Sequence, residues 1–332
     1  MEINKPDHNQ SRYDLLVTGG TGFVGQEFVS QLIRRFDGNI FIGQRAKREF
    51  LGRESNLSYG HLDLEKFSSP CGGARIVVHI AGEKTEKNKM MQINVEGTRQ
   101  LLNWSVSAGV EKFVYLSSDG VYGADNQAGL VNSSHVKAPK NEYERSKMLG
   151  ENLVREITDR HGIKWIILQP TNIIGVNSRS RNPLIGLFRS VKSDHFRYIG
   201  HEPGYVNYVA VENVVESIFH VISTADATGT YIINTPAKLT EFIEEIAKLL
   251  HVEVPRRRIP RLPAACAAAV FSAIETCIGK KMPFNLIKYR ELTNQTIYEG
   301  GEIEKSLNFN YPVSWQQMVS KLADTYHKMG LL

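Results

Sequence analysis

The 332-residue chain is poor in cysteine, and the three it has, Cys71, Cys266 and Cys277, form no C-x-x-C pair. An odd, scattered set offers neither a disulfide framework nor a zinc ribbon, so a reducing cytoplasm is expected and a metal site is not. Charge of one sign is also missing. Lys plus Arg number 40 against 35 Asp plus Glu, and the surplus of five is spread along the chain. That balance suits an anionic small molecule and gives no reason to expect nucleic acid. No internal repeat or low-complexity tract is present, and Met1 to Arg12 lacks the apolar core of a secretory signal. Long apolar runs are absent too. The nearest approach, Ala264 to Ile278, is alanine-rich but broken by Ser272, Glu275 and Thr276, too short and polar to span a bilayer. A buried helix without membrane contact is the expectation there, with peripheral contact as the minority alternative.

What the chain does have is 42% hydrophobic residues, enough for one large core or two modest ones. It opens with Leu15-Leu16-Val17-Thr18-Gly19-Gly20-Thr21-Gly22-Phe23-Val24-Gly25, an apolar run ending in a G-x-x-G-x-x-G turn. Phe28, Val29, Leu32 and Ile33 then recur at helical spacing, so the stretch reads as strand, tight turn and helix. Glycine lets such a turn take positive φ and lets the backbone close on a diphosphate, which the helix N-terminus would face. The second strand, Asn39 to Gly43, ends in Gln44-Arg45 rather than in a carboxylate. An acid there would hold a ribose 2′-hydroxyl, whereas an arginine pairs with a 2′-phosphate. NADP is therefore favoured, through Arg45 with Lys47 and Arg48 in reserve, and NAD is the alternative.

Further strands follow at His61-Leu62-Asp63-Leu64, with Asp63 placed for an adenine amino group, and at Arg75 to Gly82, a continuous apolar run of the parallel-sheet kind. Ala81 and Gly82 are small enough for backbone to pass beside a cofactor, and His79 reads as a satisfied core histidine. Asn94-Val95-Glu96-Gly97-Thr98 opens a helix. Lys112 to Leu116 is the next strand, running into Ser117-Ser118-Asp119-Gly120. The alternation argues a Rossmann-type, doubly wound parallel sheet of the α/β class, whose ligands sit beyond the carboxyl ends of the strands. The next helix carries Tyr143 and Lys147, an i,i+4 pair sharing one face. An ammonium beside a phenol lowers its pKa and fits it for general acid–base work. Beyond Gly175 the alternation loosens: Arg179 and Arg181 lie in a polar loop, and Pro255 to Arg261 is a basic turn whose default reading is solvated surface. The expected division is a dinucleotide domain over 12–175, with 205–235 returning to it, and a smaller substrate-binding part over 176–204 and 236–332.

These motifs in this order resemble the extended short-chain dehydrogenase/reductases, the NAD-dependent epimerase/dehydratase family. The resemblance implies that Tyr143 exchanges a proton with a substrate oxygen, Ser118 hydrogen-bonds the same oxygen, and Lys147 holds the nicotinamide ribose. It extends the cofactor set of Gly19, Thr21, Gly22, Phe23, Val24, Gly25, Arg45 and Asp63 to Leu64, Ile80, Ala81, Gly82, Asn94, Ser117, Pro170 and Ile173. It also implies a homodimer and a nucleotide-diphosphate sugar as substrate, with Glu83, Asp119, Asn172, Arg179 and Arg258 as candidate contacts. The chain departs from the pattern in three places. Gly120 replaces the Glu of an Asp-Glu pair, which argues against a simple 4,6-dehydratase; Gln169 replaces an Arg; and the second strand lacks its terminal acid. The C-terminal part looks equally like 3β-hydroxysteroid dehydrogenase relatives, so a reductase of an apolar ketone is the alternative. A non-catalytic dinucleotide sensor would need no Ser118, Tyr143 and Lys147.

Overall fold

The computed structural model describes residues 12–45, 56–123, 129–176, 184–201, 204–280, 282 and 284–332. Seven strands form one parallel sheet: β1 (Tyr13–Thr18), β2 (Ile40–Gln44), β3 (Leu57–His61), β4 (Ala74–His79), β5 (Lys112–Leu116), β7 (Lys164–Pro170) and β12 (Gly229–Ile233). Their order is β12-β7-β5-β4-β1-β2-β3, so the winding reverses between β1 and β4. Side chains alternate through the sheet: Leu15 and Val17 enter one core while Leu16 enters the other. The first core is closed by α1 (Phe23–Arg35) and α6 (Val211–Ser223), the second by α3 (Thr98–Ser107) and α4 (Glu142–His161). Both faces being covered, the strands had to be apolar throughout, which is how they announce themselves in sequence.

The helix expected to open at Asn94 begins earlier. α2 (Lys87–Met91) continues through a π-helical turn, Gln92–Gly97, into α3, so Asn94 lies inside the π turn. A separate core joins α5 (Leu184–Lys192), α7 (Leu239–Leu249) and α11 (Trp315–Lys328) through Phe188, Phe242, Ile246, Val319 and Leu322. Short strand pairs stitch the remainder: β6 (Gly129–Val131) with β15 (Thr296–Tyr298), β8 (Asn172–Ile174) with β11 (Tyr208–Ala210), β9 (Tyr198–Ile199) with β14 (Arg258–Ile259), and β10 (Tyr205–Val206) with β13 (Ala237–Lys238). α10 (Glu302–Leu307) returns to the first core through Ile303.

One expectation is overturned. α8 (Arg261–Ile278) is not a buried helix, because only Ala264 and Ala268 are fully enclosed, against the short α9 (Leu286–Thr293) and its surroundings.

Candidate active site

The turn from β1 to α1 is built by what glycine lacks. Gly19 has φ +75°, and a Cβ on it would lie 2.5 Å from the Ala81 amide nitrogen, while a Cβ on Gly25 would run into the Gly19 carbonyl oxygen. Helix, turn and β4 loop are thus in direct backbone contact. Gly22 is the N-cap of α1, with no side-chain cap and no acidic residue in the first turn. An uncapped, acid-free terminus leaves the first-turn N–H groups, those of Phe23 and Val24 among them, open to an anion. Thr21 is fixed beside it by its carbonyl, which accepts from the Gln26 amide at 2.8 Å. A dinucleotide diphosphate fits these residues.

Ser118 follows β5 and caps a short 3-10 turn, Asp119–Tyr122: its Oγ accepts from the Gly120 N–H at 3.1 Å and donates to Asp119 Oδ1 at 3.2 Å. Tyr143 stands in the first turn of α4, whose N-cap Asn141 accepts from the Glu144 N–H at 3.0 Å. The Ser118 hydroxyl lies near enough to the Tyr143 phenol to act on its protonation. One turn on, Lys147 is buried, donates from Nζ to the Leu116 carbonyl at 2.7 Å, and lies 4.2 Å above the Tyr115 ring. The three candidates therefore meet at the carboxyl end of β5.

Their protonation differs from the expected pattern. Burial pushes Tyr143 up to about 12, with the Asp119 charge adding to the rise and the Ser118 hydroxyl opposing it. Burial also lowers Lys147 to about 7, with Glu151 opposing. So the expected lowering of the tyrosine by its lysine is not what this structure holds: Lys147 is turned to Leu116, and Tyr143 is a protonated phenol at neutral pH. Asp119 is raised to about 7 by burial, against its bonds to Ser118 and the Gly120 N–H.

Residues 15–234 match the NAD dependent epimerase/dehydratase family. This chain belongs to that family. Among curated relatives it is 22% identical, over 88% of its length and 89% of the other's, to the N-acetyl-alpha-D-glucosaminyl-diphospho-ditrans,octacis-undecaprenol 4-epimerase of Escherichia coli O157:H7. It is 24% identical to 3beta-hydroxysteroid-dehydrogenase/decarboxylase isoform 1 of Arabidopsis thaliana, over 94% of this chain and 79% of that one. A solved structure of MoeE5 in complex with UDP-glucose and NAD superimposes with a TM-score of 0.70, at 19% identity, over 95% of this chain and 99% of that one; the likeness is one of fold.

Around these candidate residues the structure adds others that sequence reading passed over. The Glu151 carboxylate is fully buried and accepts from Ser117 Oγ at 2.6 Å, Gln169 Nε2 at 2.7 Å, Arg155 at 3.3 Å and the Lys137 ammonium. Gln169 in turn accepts from the Tyr122 hydroxyl at 2.8 Å. The departure at Gln169 thus supplies one donor and one acceptor to a closed network. Its one sequence signal was spacing: Glu151 falls one turn after Lys147 and two after Tyr143. A second chain runs under the glycine turn. The Ala81 N–H donates to Thr18 Oγ1, Thr18 bonds His79 Nδ1 at 2.7 Å, His79 Nε2 bonds Thr98 at 2.9 Å, and Thr98 donates to the Asn94 carbonyl. Donors and acceptors balance only if His79 is neutral with its proton on Nε2. Its pKa, lowered to about 3 by burial and then by Lys147, agrees.

The other candidates are placed less uniformly. Asn94 clamps the Glu83 backbone from both sides, at 2.7 and 2.8 Å, and donates to Ser146, fixing the Ile80-Ala81-Gly82 segment beside Lys147. The Glu83 carboxylate accepts from the Thr85 and Glu86 N–H groups; these bonds and the Arg45 charge outweigh its burial and lower its pKa. Arg45 is exposed at the end of β2. Asp63 accepts from the Glu65 N–H at 2.9 Å, and Leu64 is buried in the second core. Pro170 closes β7, and Ile173 packs on the first core. Asn172 is exposed, with its amide 3.4 Å from the Asn207 carbonyl. Arg258 is spent elsewhere: it donates to the Gly200 and His201 carbonyls and lies over Tyr198. Arg179 and Arg181, like Lys47 and Arg48, lie outside the described residues.

Proposed function

We propose that this chain is a nicotinamide-dependent oxidoreductase or epimerase of a nucleotide-diphosphate sugar, with Tyr143 as its general acid–base residue. The observation that carries the reading is the meeting of Ser118, Tyr143 and buried Lys147, held by the Leu116 carbonyl, at the strand ends that the glycine turn shares. NAD or NADP, when bound, supplies and accepts hydride at the nicotinamide. The protein's part is to place the sugar oxygen between Ser118 and Tyr143 and to move its proton. As arranged here, the Tyr143 phenol is a proton donor at neutral pH, the form a carbonyl being reduced requires. To serve as base it needs Lys147 charged and closer, since a neighbouring cation favours phenolate. The uncapped end of α1 is the seat for the cofactor diphosphate. UDP-glucose binding by the MoeE5 structure supports the nucleotide-sugar class; the Escherichia coli relative's name supports the sugar diphosphate alone, since its carrier is undecaprenol.

The decisive experiment pairs binding with turnover. A thermal-shift series with NAD, NADP, and then UDP-, GDP- and dTDP-sugars on the cofactor complex identifies the ligand, since binding to the native state alone raises stability. Tyr143→Phe is expected to keep those shifts and to lose roughly 10²–10⁴-fold in turnover. Turnover left intact sinks the mechanism. NADP is proposed over NAD because Arg45 replaces the acid after β2; Arg45→Ala is expected to weaken NADP by about 10- to 100-fold, the worth of one charge-assisted contact, and to leave NAD unchanged. Equal weakening of both would refute the preference. A 3β-hydroxysteroid-like alcohol is the second reading, favoured by the outward-facing apolar α8, and it becomes the first if no nucleotide sugar adds a shift.

A further inference from the structure

α8 carries an apolar stripe that no core uses. At 100° per residue, Leu262, Cys266, Ala269, Val270, Ala273 and Cys277 fall within about 100° of the helix circumference. All six are exposed, Leu262 by 76% and Val270 by 58%. The opposite face is the one bound to protein: Ala264 and Ala268 are buried, Ser272 Oγ accepts from the Leu286 N–H at 2.9 Å, and Glu275 accepts from Asn285 at 3.0 Å. The helix's one carboxylate is therefore turned inward, and the stripe is free of acid. Basic side chains stand at both ends, with Arg256, Arg257 and Arg261 before or at the start of the helix and Lys280 just past its end, all exposed. Of these, Arg257 has a loose exposed pairing with Asp194 at 3.8 Å; Arg256, Arg261 and Lys280 form no salt bridge among the described residues.

We infer that α8 is a docking element for an anionic lipid surface, lying flat with the stripe in the interface and the basic ends on headgroups. The arrangement is that of an interfacial helix: apolar on one face, charged at the flanks, and anchored to its own domain on the other. The helix is long and apolar enough to span, but lying flat is favoured, since insertion would strip α8 from α9 and carry Glu275 into hydrocarbon. A second copy of the chain fits worse than lipid. Whether two such helices pair parallel or antiparallel, both ends are basic, so cation meets cation. A negative bilayer satisfies stripe and ends together. The inference stands on this surface and not on the identity of the substrate.

The test uses the full chain in flotation with phosphatidylcholine vesicles, with and without phosphatidylglycerol. Binding is expected only with the anionic lipid and is expected to fall with salt. Arg256→Glu/Arg257→Glu and Leu262→Gln/Val270→Gln should each weaken it by about tenfold or more, the first by losing headgroup attraction and the second by losing apolar burial. The Leu262→Gln/Val270→Gln protein should keep its melting temperature and its cofactor-induced shift, which separates lost docking from lost folding. Cys266 and Cys277 give a residue-level readout. In a Cys71→Ser background, a charged maleimide should label them freely in buffer and slowly on anionic vesicles. No flotation, flotation indifferent to both paired substitutions, or thiol protection that grows with protein concentration without lipid would overturn the inference, the last in favour of a second copy.

Discussion

Burial sets the protonation around Ser118, and at Lys147 it opposes folding. An ammonium lowered from 10.5 to about 7 costs the folded state wherever the unfolded chain holds the proton, because the native state either gives it up or holds it at a penalty. The sign follows. Below pH 7 the full cost is present, between about 7 and 10.5 it is relieved, and above that it is gone. Lys147→Met is therefore expected to melt higher than the wild type at pH 6, with the gap shrinking steadily toward pH 10.5, while turnover falls. Thermal unfolding across that range checks it, and a gap independent of pH would mean that burial does not lower Lys147 in the native state. Sequence spacing gave the face that Tyr143 and Lys147 share but not the rotamer: the Leu116 carbonyl, 31 residues earlier, takes the lysine's hydrogen bond. The missed Glu151 has the same cause. An acid on a helix reads as solvated surface, and its partners Ser117, Lys137 and Gln169 come from three separate stretches of chain.

The element that bears the catalytic candidates, α4, approaches β5 unusually closely at one point. Gly150 sits where a Cβ would collide with the Tyr115 hydroxyl, a group with no hydrogen-bond partner among the described residues. In an open helix Gly→Ala gains about 1 kcal/mol. Here overpacking costs about 1–3 kcal/mol and wins. Gly150→Ala is expected to lower stability in urea unfolding and to disturb Lys147, which rests over the same ring; adding Tyr115→Phe removes the colliding oxygen and should recover most of the loss. Strict additivity of the two changes would show that they do not meet. α8 shows the converse limit. Its composition is apolar, yet what an apolar helix packs against depends on a neighbour, and α9 covers only the narrow alanine seam.

Across the whole molecule, the sheet was the legible part, because strands buried on both faces are apolar through their centres, as Ile76 to Val78 illustrates. The short strand pairs were not legible, being two or three residues long and set by partners far away in sequence, such as β6 with β15. That architecture bears on how the chain reaches its native state. Every neighbour in the central sheet is parallel, so no pair can form as a hairpin, and each must wait for a crossover to close. The edge strand β12 docks on β7 only after the 58 intervening residues between Pro170 and Gly229 have been made, and α10 then packs against it from near the C-terminus, with Ile303 in the first core. Refolding is thus governed by loop closure rather than by local turns, and the nascent chain carries the open, hydrogen-bonding edge of β7 until β12 has been made.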